Sequence, residues 1–161
     1  MDRDRRTRVA RAGRPVSLLA RLAPDLAGRY TVERELGRGG MATVFLAQDV
    51  RHKRPVAIKV LTPEIGRLVG SDRFLREIEI AAKLTHPHIL PVFDSGEAGW
   101  LLYYVMPFVR GESLRQRLDR GPLPLSDAVR IGREVADALD YAHRHGYVHR
   151  DIKPENVLLE D

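Results

Sequence analysis

Residues 147–159 read Tyr147-Val148-His149-Arg150-Asp151-Ile152-Lys153-Pro154-Glu155-Asn156-Val157-Leu158-Leu159. The stretch sets an Asp, a Lys and an Asn at i, i+2 and i+5 in a proline-containing loop, after a long helical pattern and before a short apolar run. An Asp accepts a hydroxyl proton, a Lys neutralises a phosphoryl group in transit, and an Asn holds a divalent metal. Asp151, Lys153 and Asn156 are therefore the first candidate site residues.

Upstream of this loop the pattern is helical. A helix is expected from a cap at Ser126 or Asp127 to His145, with Val129, Ile131, Val135, Ala138, Leu139 and Ala142 on one face and Gly146 closing it. A shorter helix is expected over 114–118. Before residue 107 the character is different. Runs at 30–36, 43–49, 55–61, 90–94 and 100–105 are rich in Val, Ile, Thr and aromatics, as strands are. One helix interrupts them over 74–84, with Phe74, Ile78, Ala81 and Ala82 on one face; His86-Pro87 ends it, because the residue before proline avoids the helical region. Five antiparallel strands with one embedded helix, then helices, predict an α+β fold with a junction at 107–111.

Two more motifs lie on the strands. Gly37-Arg38-Gly39-Gly40-Met41-Ala42-Thr43-Val44 fills the first hairpin. Clustered glycines there let backbone N–H groups approach a phosphate with no Cβ in the way, although glycine also suits an ordinary hairpin turn. A strand follows instead of a helix, and no G-K-[ST] ending is present, so neither a Rossmann fingerprint nor a Walker A loop is read here. In Val56-Ala57-Ile58-Lys59, alternation puts Ala57 and Lys59 on one face. Lys59 reads either as an ordinary exposed strand residue or as a functional one; the chain has 23 Arg and only four Lys, at 53, 59, 83 and 153, which tilts the reading a little toward a need for a compact ammonium at 59 and 153. If Lys59 is buried its partner must be a carboxylate, and Glu77 and Glu79 on the following helix are the nearest candidates.

Composition removes other classes. The chain of 161 residues carries a formal charge of +5. Residues 1–29 hold eight Arg and three Asp, whereas residues 30–161 hold nineteen basic and nineteen acidic side chains. The basic character thus belongs to a tail, expected to be flexible, with one short amphipathic helix around Val16, Leu18, Leu19 and Leu22; a nucleic-acid-binding body is not indicated. Without cysteine there is no disulfide scaffold, thiolate zinc site or Cys nucleophile. His143, His145 and His149 read as helix-end residues and not as a metal cluster, and His86 and His88 as turn residues. No run is long enough to span a bilayer and no signal-peptide pattern is present, which makes a cytoplasmic chain the expectation.

Together these motifs resemble the eukaryotic-like serine/threonine protein kinases of bacteria, over residues 30–161. The resemblance implies a nucleotide-binding lobe over 30–106, a hinge at 107–111 and the start of a helical lobe from 112. Leu36 and the loop glycines Gly37, Gly39 and Gly40 would cover ATP, and Lys59 would bind its α- and β-phosphates and pair with Glu77. Val44, Ala57 and Leu158 would sandwich the adenine. Met106 would be the gatekeeper, with the Pro107 carbonyl and the Val109 N–H reading the adenine edge. Asp151 resembles the catalytic base, Lys153 the charge stabiliser and Asn156 a Mg²⁺ ligand. Lys153 within H-R-D-I-K-P-E-N is similar to the serine/threonine pattern, so protein Ser/Thr hydroxyls would be the acceptors. Arg150, beside the base, hints at control by a phosphorylated loop.

Ala42 stands where the family has its third loop glycine. The family's D-F-G metal-binding motif and activation segment do not occur in the 161 residues, so the expectation is the N-terminal part of a catalytic domain. The alternative is a nucleotide-binding or interaction module without turnover.

Overall fold

Runs rich in β-branched and aromatic residues fold the first half of the chain into one antiparallel sheet, seen in a computed structural model that describes residues 18–161. A helix, α1 (Leu18–Leu26), precedes β1 (Tyr30–Arg38), β2 (Ala42–Asp49) and β3 (Arg54–Leu61). Two helices follow, α2 (Pro63–Val69) and α3 (Ser71–Ala82), then β4 (Asp94–Ala98) and β5 (Leu101–Pro107). The strand order is β1-β2-β3-β5-β4. Beyond it lie β6 (Gly111–Ser113), α4 (Leu114–Asp119), α5 (Leu125–Arg144), a 3₁₀ turn (Pro154–Asn156) and β7 (Leu158–Glu160), with β6 and β7 forming a second, two-stranded sheet.

Register decides what each face carries. Val44 pairs with Lys59 and Lys59 with Tyr104; one row along, Leu46 pairs with Ala57 and Ala57 with Met106. Because side chains alternate across a strand, these residues share one face. Phe74 of α3 stacks on Tyr104 there, with ring centroids 6.5 Å apart, so α3 lies on the Lys59 side. The opposite face presents Phe45, Ala47, Val56, Ile58, Val60, Leu101, Tyr103 and Val105, all buried in one cluster with Leu22 and Leu26 of α1.

Three expectations change. The run at 90–94 is not a strand: Pro91 has no N–H to give a ladder, and the fourth strand starts at Asp94, reached by the Phe93 N–H donating to the Val105 carbonyl at 2.8 Å. Its sequence, Asp-Ser-Gly-Glu-Ala, is polar because β4 is an edge strand. Second, α2 is an additional helix, opened by Pro63 in the first turn, where a missing N–H costs nothing. Third, α5 begins at Leu125 after Pro124, and neither Ser126 nor Asp127 caps it; Asp127 instead lies in the first turn, where its charge opposes the helix dipole favourably. On α5, Ile131, Ala138 and Ala142 are buried, but Val129 is 52% exposed. Gly146 ends the helix as read, at φ +79°, with its N–H on the His143 carbonyl and that of Tyr147 on Ala142. Residues 18–26, read within the tail, are the helix α1, which runs through Pro24; Val16 and the Arg-rich stretch 1–14 lie outside the described residues. Among the described residues, no helix is long and apolar enough to cross a membrane.

The two halves meet through the α3–β4 connection. The Thr85 N–H donates to the Tyr141 hydroxyl of α5 at 3.3 Å. His86 accepts the His88 N–H at Nδ1, which leaves the proton on Nε2 to donate to Asp137 at 3.1 Å. The His86, Tyr141 and His145 rings stack in sequence, at 5.1 and 4.2 Å.

Candidate active site

The hairpin tip between β1 and β2 carries Gly37, Gly39 and Gly40. None of the three has a positive φ, and a Cβ on Gly37 or Gly40 would meet nothing within 4 Å. Neither backbone conformation nor packing therefore demands glycine here, whereas close approach of a ligand would. The tip is held by the Gly39 N–H on the Ala42 carbonyl at 2.8 Å and the Thr62 N–H on the Met41 carbonyl at 2.9 Å. Arg38 and Glu35 clasp one another at its base, 2.7 Å apart. Leu36 at the end of β1 is partly exposed.

Lys59 is half-buried in the row beneath Val44, with its ammonium 5.8 Å from the Tyr104 ring centroid. Such a contact contributes about 0.5–1 kcal/mol, far less than a phosphate would. Glu77 is not brought to it. Its carboxylate accepts from Arg73 Nε, one turn earlier on α3, at 3.0 Å, and Glu79 pairs with Lys83 at 3.2 Å. Among the described residues Lys59 has no ion pair, a difference from the expected partnership. The spacing on α3 allowed an i,i+4 competitor, and Arg73 was the residue that sequence reading passed over.

The loop 147–159 gathers its three candidates. Lys153 Nζ lies 3.0 Å from Asp151 Oδ2. Asn156 Nδ2 donates to the same oxygen at 3.1 Å and to the Asp151 backbone carbonyl at 2.8 Å. The Asn156 side-chain carbonyl is then left facing away from these bonds as a hard oxygen donor. Arg150 takes a left-handed φ of +65°, a conformation that costs a non-glycine residue on the order of 1 kcal/mol and marks functional loops. This turn directs the Asp151 N–H to His149 Nδ1, at 3.3 Å.

The electrostatics follow from these bonds. The hydrogen bond from Lys153, aided by that from Asn156, holds the Asp151 carboxyl below the usual carboxylate range, so it is ionised at neutral pH. Burial pushes the His149 imidazole down, and the Lys59 charge adds to this while Asp151 opposes it. His149 is thus the neutral acceptor that the Asp151 N–H requires. No group of three or more His, Asp or Glu able to hold a metal by themselves is found among the described residues.

Below the loop, Pro154–Asn156 is fixed by the Asn156 N–H on the Lys153 carbonyl at 2.9 Å, and Leu114 N–H reaches the Val157 carbonyl at 2.8 Å. Ser113 caps α4 in a reciprocal box with Gln116. Leu158 pairs across the small sheet with Ser113, and Gly111 with Glu160. Met106 and Pro107 end β5 opposite Ala57 and Val56, and Val109 lies half-buried in the link that follows. A cleft of about 390 Å³ opens on the other side of this loop, between it, α4 and α5, lined by Leu118, Leu123, Ile131, Val135, Ile152 and Val157. Its lining is mostly apolar, and among the described residues Lys153 of the candidate loop is the one charged residue in it.

Comparison with known proteins gives consistent matches. A protein kinase domain family model matches residues 30–161. Serine/threonine-protein kinase PknD of Mycobacterium tuberculosis is 45% identical over 134 residues, which cover 82% of this chain and 20% of the relative. The chain thus spans about a fifth of that curated relative's length. The crystal structure of the Mycobacterium tuberculosis PknI kinase domain, C20A mutant, superposes with a TM-score of 0.75 at 42% identity, covering 83% of this chain and 56% of the other. Rad53 1-466 in complex with AMP-PNP superposes with a TM-score of 0.74 at 30% identity, covering 83% of this chain and 35% of the other.

Proposed function

The chain belongs to the protein kinase domain family, and from that premise we propose that it supplies the nucleotide-binding lobe and catalytic loop of an enzyme transferring the ATP γ-phosphoryl group to Ser or Thr hydroxyls of proteins. The observation that carries this reading is the cluster of Asp151, Lys153 and Asn156, joined by bonds of 3.0 and 3.1 Å in one loop.

Each residue has a task its surroundings support. Asp151, kept ionised, accepts the hydrogen bond of the acceptor hydroxyl and orients its oxygen. A carboxylate with so low a proton affinity is a weak base, so its contribution is mainly positioning. Lys153 shares its ammonium between Asp151 and the side on which the phosphoryl group would lie, where it offsets developing negative charge. The glycine hairpin offers backbone N–H groups to phosphates, and Lys59 offers a cation whose ammonium lies 5.8 Å from the Tyr104 ring centroid. The apolar row of Val44, Ala57 and Met106, with Leu36 above, suits a flat adenine, and Pro107 and Val109 would supply the polar edge. The side-chain oxygen of Asn156, used in neither bond to Asp151, suits a hard divalent cation, and Mg²⁺, when bound, would neutralise phosphate charge. Glu77 would have to leave Arg73 to reach Lys59.

The test is transfer of ³²P from γ-labelled ATP to a protein acceptor, with this chain joined to the remaining part of a bacterial kinase catalytic domain. Asp151→Asn should lower the rate by about 10²-fold or more while leaving nucleotide affinity near the parent's. An unchanged rate would remove Asp151 from the mechanism. A second reading, nucleotide binding without turnover, is favoured by the Arg73–Glu77 pair, which leaves Lys59 without its carboxylate. Absence of transfer in the parent, with nucleotide still bound, would support it.

A further inference from the structure

We propose that α1, outside the matched family region, is a positioning element of the nucleotide lobe: Leu22 and Leu26 close the back of the sheet and thereby hold Lys59 in place. Lys59 is flanked on β3 by Ile58 and Val60, whose side chains alternate to the opposite face and are fully buried there. Leu22 and Leu26, one helical turn apart on α1, are themselves fully buried in the cluster that contains both. An antiparallel sheet tolerates water on one face only when that face is polar. Here it carries Phe45, Val56, Tyr103 and Val105, so it needs a cover, and α1 supplies one.

The seat of α1 is locked at its exit. The Arg29 N–H donates to the Leu26 carbonyl at 3.0 Å, and the Arg29 carbonyl accepts from Val50 at 2.9 Å. Its guanidinium donates to Asp94 at 2.9 Å and to the hydroxyl of buried Tyr103 at 2.6 Å, while the Tyr30 hydroxyl donates to the same Asp94 oxygen at 3.0 Å. Gly96 makes room, since a Cβ there would lie 2.9 Å from that Tyr103 hydroxyl. Arg21 of α1 stacks over Trp100, 5.1 Å from the ring centroid, beside the start of β5. The helix is thus fastened to β1, β4 and β5, and β3 lies between β2 and β5 over the same buried cluster. The matched region starts at Tyr30 and includes none of α1.

The test compares amide hydrogen exchange of the parent chain with Leu26→Ala, Leu22→Ala/Leu26→Ala and a control, Ile131→Ala, in the buried face of α5. The α1 variants should lower the unfolding midpoint by about 5–15 °C, and so should the control. The discriminating readout is where exchange accelerates, read well below that midpoint. In Leu26→Ala the amides of residues 58–60 should speed up about tenfold relative to those of α5, and Leu26→Met should restore them; Ile131→Ala should not single out β3. Affinity for Mg²⁺·AMP-PNP should fall severalfold in Leu26→Ala but not in the control. That last measurement rests on the proposed nucleotide role, and parent protein that binds no AMP-PNP would count against that role, with the exchange pattern still deciding for α1. Should the double variant not fold, the single Leu26 variants carry the comparison. Equal acceleration of β3 and α5 amides in Leu26→Ala would overturn the proposal.

Discussion

Asp151 and His149 illustrate how a few bonds fix protonation. His149 accepts the Asp151 N–H at Nδ1, so protonating that nitrogen breaks the bond. Burial lowers the imidazole's proton affinity, and the neighbouring carboxylate raises it in part. A histidine whose folded pKa is depressed contributes stability that is complete above its unfolded value, near 6.5, and is lost as pH falls through the folded value. The His149 ring resonance followed by NMR should therefore titrate below an unfolded-peptide reference. Asp151→Asn removes the opposing charge, so the midpoint should move lower still; an upward movement would contradict the assigned interaction. Asp151 itself is held below the usual carboxylate range by Lys153. Glu77 obeys weaker forces. Its bond to Arg73 is an exposed i,i+4 pair, worth a few tenths of a kcal/mol, so little energy opposes its transfer to another cation.

At the scale of elements, the small sheet β6–β7 ties the link after β5 to the end of the loop that holds Asp151. Gly111 is its narrow point: φ is +136°, and a Cβ would fall 2.0 Å from the Leu159 carbonyl oxygen. Backbone cannot give way as a flexible side chain does. Gly111→Ala should therefore cost about 2–3 kcal/mol in denaturant unfolding, and a loss under 0.5 kcal/mol would show the pairing to be dispensable. Strands β1, β2, β3 and β5 were legible because runs rich in Val, Ile, Thr and aromatics are bounded by turn residues. The long helix was legible from its period and from Gly146. β4 was not, since an edge strand of Asp-Ser-Gly-Glu-Ala carries no apolar alternation, and the apolar run before it is broken by Pro91. A short helix around Leu18 and Leu22 was legible, but not its passage through Pro24 to Leu26 nor its packing on the sheet. Within the site, the loop 147–159 was readable because its residues interact across two to five positions. The fate of Glu77 was not, because it depends on where α3 sits over the sheet.

The whole molecule sets two bodies against each other. The sheet presents Lys59, Val44, Ala57 and Met106 on one face, and the helical part carries Asp151, Lys153 and Asn156. Between them run the α3–β4 contacts of Thr85 and His86 with Tyr141 and Asp137, so the sheet and α5 are tied through residues that are not themselves candidates. Positive charge in excess resides in residues 1–29, and the rest is balanced, which leaves attraction for phosphate to individual side chains and not to a general field. Lys59 is the side chain that matters most to this account: a half-buried cation with no carboxylate partner among the described residues, under a glycine hairpin that has no structural need of glycine. The most direct measurement is the equilibrium binding of Mg²⁺·AMP-PNP to the chain by titration calorimetry, for the parent and for Lys59→Met. The account predicts saturable one-to-one binding by the parent, weakened about tenfold or more in the variant, as expected when a charge-assisted phosphate contact is lost. Equal affinity in the two proteins, or no saturable binding by the parent, would contradict it.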